Sequence, residues 1–173
     1  MNNFFSLKNK VAVITGSSRG IGKGIAVRFS ELGAKIIISS RKIDACEQVV
    51  EEITNAGGFA SAFECNISNK ISCQELINFA KKKYGKIDIL VCNAASNPYY
   101  GNLADIPDES FEKIMNNNVK SNLWLCKNVI PHLKKNKSGS IIIISSIAGL
   151  QGVENLGAYS ISKTADIGLI RSL

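Results

Sequence analysis

Short runs in which nearly every position is apolar alternate along the chain with longer segments of mixed polarity. Residues 11–14 (VAVI), 35–39 (KIIIS), 59–64 (FASAFE), 87–91 (IDILV) and 140–144 (SIIII) read as strands. Runs this short, with apolar residues on both faces, predict strands covered on both sides. Between them lie helical stretches at 20–32, ended by Gly33, at 44–56, ended by Gly57-Gly58, and at 69–84, ended by Gly85. A glycine just past the last periodic residue is a common helix stop. A longer helical region runs from 108 to about 135 behind Pro107, and Pro131 predicts a bend or break near its end. A last helix begins at Ala158, with Ala158, Ile161, Ala165, Leu169 and Leu173 on one apolar face. No cap, glycine or proline closes it, so the pattern predicts a chain that continues beyond Leu173.

Strand–helix alternation of this kind predicts an α/β fold, a doubly wound parallel sheet of Rossmann-like type within one domain spanning 1–173. Ligands of such sheets bind at the carboxyl ends of the strands, where strand order reverses. The segments that carry candidate chemistry fall at those ends.

Composition narrows the picture. Hydrophobic residues make up 45% and charged residues 20% of the 173, the balance of a soluble globular protein with a sizeable core. The net charge is +7. Its lysines and arginines are scattered, and the tightest run, Lys81-Lys82-Lys83, ends a helix, where cations complement the dipole. That arrangement argues for an anionic small ligand rather than nucleic acid. Five cysteines form no C-x-x-C pair and only one histidine is present, so no metal site is predicted. Reduced thiols, no leader pattern in residues 1–10 and no long apolar stretch predict a cytoplasmic protein with no membrane segment. The final Arg171-Ser172-Leu173 is not the peroxisomal Ser-Lys-Leu address.

Residues 15–22 read TGSSRGIG between the first strand and the first helix. Glycines there let the backbone approach a pyrophosphate, and the helix N-terminus offers free N–H groups and a positive dipole end. On its own the segment would be only a glycine-rich turn; its position makes it a phosphate loop. At the end of the second strand a carboxylate would bond the ribose 2′-hydroxyl of NAD. This chain has Ser39-Ser40-Arg41-Lys42 instead. Arg41 is suited to bidentate phosphate binding, with Lys42 and Arg19 adding charge, which favours NADP(H).

Of the four tyrosines, only Tyr159 has a lysine, Lys163, four residues on. The two share one helix face. A free tyrosine has a pKa of about 10, and a nearby ammonium favours the phenolate. Tyr159 could then exchange a proton with a carbonyl or alcohol oxygen, while Ser146 after the fifth strand bonds the same oxygen. An isolated tyrosine–lysine pair would more often be a surface contact.

In this order the motifs resemble the short-chain dehydrogenase/reductase family: Thr15-Gly16 and Gly20-Ile21-Gly22, Asn93-Ala94-Ala95, Asn118, Ser146, then Tyr159 with Lys163. The resemblance implies Tyr159 as general acid/base, Lys163 holding the nicotinamide ribose, Ser146 orienting the substrate, and Asn118 holding a water that relays protons to Lys163. It implies Gly16, Ser18, Arg19, Gly20, Ile21 and Gly22 around the cofactor phosphates, and Ser40, Arg41 and Lys42 at its 2′-phosphate. Asn66 and Ile67 would meet the adenine; Asn93 and Ala94 would support the adenosine ribose. Ala95 and Asn66 stand where the family commonly has glycine and aspartate. Residues 89–101, with Asn97-Pro98-Tyr99-Tyr100, are similar to a carbonyl reductase/retinol dehydrogenase branch.

The resemblance implies hydride transfer between NADP(H) and a ketone, aldehyde or secondary alcohol, in a homodimer or homotetramer, and two further strands beyond those present. A 3-oxoacyl-carrier-protein reductase is a neighbouring possibility. A non-catalytic dinucleotide-binding module or an inactive fragment is one of another class.

Overall fold

The computed structural model describes residues 5–173; the leader reading of residues 1–10 lies partly outside them. Five strands, β1 (Val11–Thr15), β2 (Lys35–Ser40), β3 (Phe59–Glu64), β4 (Ile89–Cys92) and β5 (Ser140–Ile143), form one sheet in the order β3-β2-β1-β4-β5. All pairs are parallel, with Val13 set between Ile37 and Leu90. Helices α1 (Gly20–Glu31), α2 (Ile43–Asn55), α3 (Lys70–Tyr84), α4 (Asp108–Met115), α5 (Ser121–Asn136) and α6 (Gly157–Arg171) complete the fold.

The uninterrupted apolar runs of β1, β2 and β4 are explained by cover on both faces. Val13, Ile37 and Leu90 meet Leu76, Ile77 and Ala80 of α3 and Leu125 and Val129 of α5. Their neighbours Ala12, Ile14, Ile36, Ile38 and Val91 meet Ala26 of α1 and Cys46, Val49 and Ile53 of α2. Each fully buried branched side chain contributes about 1.5–3 kcal/mol, so these two layers dominate the stability. Order reverses between β1 and β4: the chain runs outward to β3 and then returns to the other side of β1. The crevice that ligands use in such sheets therefore opens above Thr15 and Cys92.

Three expectations need correction. The fourth strand starts at Ile89 rather than 87, since the Asp88 side chain, buried at 5% exposure, accepts from Val11 N at 2.9 Å. The long helical region is interrupted not at Pro131 but at Asn116–Lys120, a wide π turn joining α4 to α5. Pro131 lies exposed within α5, where water can meet the carbonyl that its missing N–H leaves free. The expected apolar stripe of α6 is buried only at its start: Ala158 lies in the core, Ala165 and Leu169 are half-buried, and Ile161 and Leu173 are 41% and 52% exposed. Its buried face carries Ala158, Ser160, Ser162, Lys163 and Asp166. Polar groups occupy that position because the lysine and aspartate pair with each other and with fixed donors and acceptors, described below.

Candidate active site

The phosphate loop leaves β1 through Thr15, whose hydroxyl accepts from Asn93 N and Ala94 N, both at 3.1 Å. The Asn93 amide answers by donating to Thr15 O at 2.9 Å and Gly16 O at 3.0 Å. Gly16 has φ +64, and a Cβ there would sit 2.9 Å from Ala94 Cα. At Gly22 a Cβ would fall 2.5 Å from both Gly16 O and the Asn93 amide nitrogen. Both glycines are thus required by close approach, and Asn93 is the clamp that produces it. Ser17 ties the loop to the next strand: its hydroxyl donates to Ile14 O at 2.7 Å and accepts from Ser39 N at 2.9 Å. Ser18 is half-buried, while Arg19, Gly20 and Ile21 are exposed at the start of α1. No side chain caps that helix, so its first N–H groups stay available to an anion.

At the end of β2 the Ser40 hydroxyl accepts from Lys42 N at 3.3 Å, forming a turn that leaves Arg41 and Lys42 exposed. After β3, Asn66 is exposed and its side chain accepts from Ser68 N at 3.2 Å. Ile67 packs partly on the core. Cys65 and Cys73 adjoin there. The hydrogen bond from Cys73 holds the Cys65 thiol down at about 7 against desolvation, and the same contact pushes Cys73 up. All five cysteines are free and buried.

The second group of candidates gathers around the N-terminal half of α6. Lys163 Nζ lies 5.8 Å from the centre of the Tyr159 ring. Asn118 is fully buried by the π turn; its side chain accepts from Ser96 N at 2.8 Å and donates to Ser96 O and to Ser162 Oγ, each at 3.0 Å. A π turn widens the helix by one residue, and here it aims Asn118 at the β4 loop and α6 together. Ser146 follows β5 in extended conformation and accepts from Ala148 N at 3.2 Å. Its own O–H therefore remains free to donate. Ser145 beside it is spent on Lys163 O, at 3.0 Å. Tyr159, Lys163, Asn118 and the segment carrying Ser146 are thus brought to one end of the sheet, next to the β4 loop that clamps the phosphate loop. An open groove of about 690 Å³ runs beside them, lined by Leu103, Leu150, Val153, Ile161 and Ala165 among others, but not by Ser146, Tyr159 or Lys163.

A sequence profile of the short chain dehydrogenases matches residues 10–173. The chain belongs to that family. Among its relatives is dehydrogenase/reductase SDR family member 4 of Rattus norvegicus, 40% identical over 166 residues, which are 96% of this chain and 60% of that protein. The Homo sapiens protein of the same name is 38% identical over 167 residues, with the same coverage. The chain thus spans about three fifths of the length of these relatives. Among solved structures, a 7α-hydroxysteroid dehydrogenase complexed with NADH and 7-oxo glycochenodeoxycholic acid superposes with a TM-score of 0.93 at 38% identity, covering 97% of this chain and 65% of that one. A metagenomic short-chain oxidoreductase in complex with NADP gives 0.92 at 33% identity, covering 96% and 75%. Both nicotinamide dinucleotides therefore occur among family members of this shape.

Sequence reasoning missed the residues that hold the site rather than face it. Ser17, Ser96, Asn122, Ser162 and Asp166 each bond a candidate residue or its loop. For Asp166 a signal was present: an acid three residues after Lys163, which on a helix lies beside it.

Proposed function

We propose that this is the acid/base and cofactor site of an NADP(H)-dependent oxidoreductase acting on a ketone or aldehyde, or in reverse on a secondary alcohol. The reading is carried by the convergence of Tyr159 and Lys163, 5.8 Å apart from ammonium to ring, with buried Asn118 at the same end of the sheet as the phosphate loop. A purely binding module has no use for a phenol beside an ammonium.

The residues present fit a dinucleotide. The uncapped start of α1, with Gly16, Ser18, Arg19, Gly20, Ile21 and Gly22, suits the pyrophosphate. Ser40, Arg41 and Lys42 suit a ribose 2′-phosphate, since no carboxylate stands at the end of β2 to repel it. Asn66 and Ile67 would border the adenine, and Asn93 and Ala94 would support its ribose. A nicotinamide held there would supply or accept the hydride.

In reduction, Tyr159 gives its phenolic proton to the carbonyl oxygen, and Ser146 donates a hydrogen bond to the same oxygen. The Lys163 ammonium stabilises the phenolate left behind and would bond the nicotinamide ribose. Asn118 fixes the helix face on which that exchange occurs. Tyr159→Phe in the purified protein, assayed with NADPH and NADH against ketones and an acyl thioester, tests the reading. Loss of turnover with an intact fold is expected, as is a preference for NADPH and for ketones; surviving turnover would refute it.

A further inference from the structure

The buried face of α6 holds an ion pair that the scheme above does not call for. Lys163 and Asp166 are 2% and 1% exposed, and Lys163 Nζ lies 2.9 Å from Asp166 Oδ2. A second Lys163 N–H reaches Ile144 O, at the end of β5, at 2.8 Å. The other carboxylate oxygen, Oδ1, accepts from the Asn122 amide at 2.8 Å, and that amide also donates to Asn118 O at 2.7 Å. The ammonium is therefore held directly from α6 and from the end of β5, and through Asp166 from α5. The thiols of Cys92 on β4 and Cys126 on α5 lie near enough to feel the carboxylate's charge, and Lys163 Nζ lies 5.8 Å from the centre of the Tyr159 ring.

Stability does not explain this arrangement. Two charges taken out of water regain in attraction roughly what they lose in hydration, and an apolar pair of equal volume serves a core as well. Breaking such a pair is a different matter: it leaves a buried charge uncompensated, free to shift or to draw in water. What the pair secures is a charged lysine at a fixed point with one N–H unspent.

We infer that Asp166 is a positioning residue for Lys163. It and Ile144 O take two of the three ammonium protons, and the third is left for the ligand beside Tyr159. Asn122 in turn fixes the carboxylate and couples it to Asn118 through Asn118 O. The water-held relay expected at Asn118 is thereby joined to a side-chain path through Asn122 and Asp166 that ends on the same ammonium. This inference rests on the reading of Tyr159 and Lys163 as the acid/base pair.

The test is ketone reduction by Asp166→Asn, which keeps the size and removes the charge, with Asp166→Glu beside it. With Asn, the ammonium charge is no longer offset by the carboxylate, so it favours the Tyr159 phenolate more strongly and draws the phenolic proton away at lower pH. That removes the acid needed for reduction, so the alkaline limb of the pH–rate profile is expected to fall by about one pH unit. The rate constant kcat should drop about tenfold while the ketone KM changes less than about threefold, and Glu should restore part of the rate. A folded Asp166→Asn variant with an unmoved limb and near-normal kcat overturns the inference. So does one that melts lower with its limb unmoved, which would make Asp166 a strut only. If Asp166→Asn does not fold, Asn122→Ala should move the limb the same way by less, and an unmoved limb there overturns the inference as well. Tyr159→Phe separates the two levels. If it still turns over, the acid/base reading and the inference fail together; if it is dead and the Asp166 variants keep a normal limb, only the inference fails.

Discussion

Thr15→Val isolates the clamp between the phosphate loop and the β4 loop. Valine nearly matches threonine in shape, so the 1%-exposed site stays filled and no cavity term enters. The hydroxyl that accepts from Asn93 N and Ala94 N, each at 3.1 Å, is lost. Leaving a buried donor unsatisfied costs about 1–3 kcal/mol. Asn93 and Ala94 are half-buried, so water can partly reach them and the lower end applies, about 2 kcal/mol for the two donors together. For a chain of this size that corresponds to a fall of about 4–8 °C in Tm. Thermal melts of the purified protein, followed by circular dichroism, measure it. Thr15→Ser keeps the hydroxyl and loses one methyl, so it should retain most of the Tm. Because the same bonds set the loop proposed to hold the pyrophosphate, Thr15→Val should also weaken NADPH binding by about tenfold, read by fluorescence titration. A valine variant that melts with the wild type, or a serine variant as damaged as the valine one, would refute the clamp.

Arg41→Ala should lower kcat/KM for NADPH by about 10–100-fold while leaving that for NADH nearly unchanged, since in the proposed site only a phosphorylated cofactor would use the guanidinium. Gly22→Ala places a methyl 2.5 Å from Gly16 O and the Asn93 amide, and is expected to cost about 1–3 kcal/mol in chemical denaturation and to weaken NADPH binding. Asp88→Ala orphans Val11 N at the end of the sheet opposite Tyr159; stability should fall by about 2 kcal/mol while kcat stays unchanged. His132 has its pKa lowered from 6.5, first by burial and then by Lys81 and Lys135. Below that pH the unfolded chain binds more protons than the folded one, so stability present above 6.5 is lost as pH falls through the folded value. The Tm of His132→Gln should therefore decline less steeply on acidification than that of the wild type.

Where the sequence was legible, one physical requirement spoke alone. The apolar runs of β1 and β2 are buried on both faces, and the positive-φ glycines at 33, 57 and 85 do end or follow helices. It was less legible where two requirements competed. Pro131 carries the strongest helix-breaking chemistry in its region, yet the solvent-facing side of α5 tolerates it. Asn116–Lys120 contains neither glycine nor proline, so nothing local announces the wide turn; tertiary bonds from Asn117 and Asn118 to Ser96 stabilise it. On α6 the apolar periodicity is real, but only its first residue, Ala158, reaches the core, and the rest of the inward face is decided by hydrogen bonding that no hydropathy pattern reports. Candidate catalytic residues could be named from motif order. Their supports Ser96 and Asn122 could not, because each meets its partner only in three dimensions, whereas Asp166 was signalled by its spacing from Lys163.

The π turn also gives α4 and α5 independent phase. Each residue of a regular helix advances the direction of its side chain by about 100°. The one-residue excess at Asn116–Lys120 therefore offsets the two helices by that angle along what is otherwise one continuous rod. Loss of any single residue there would restore a regular helix and swing either Asn118 or the Leu125–Val129 core face by a quarter turn or more. Length in this segment acts as a digital quantity: substitutions within it tune the site, whereas one deletion would exchange a seated core for a seated asparagine.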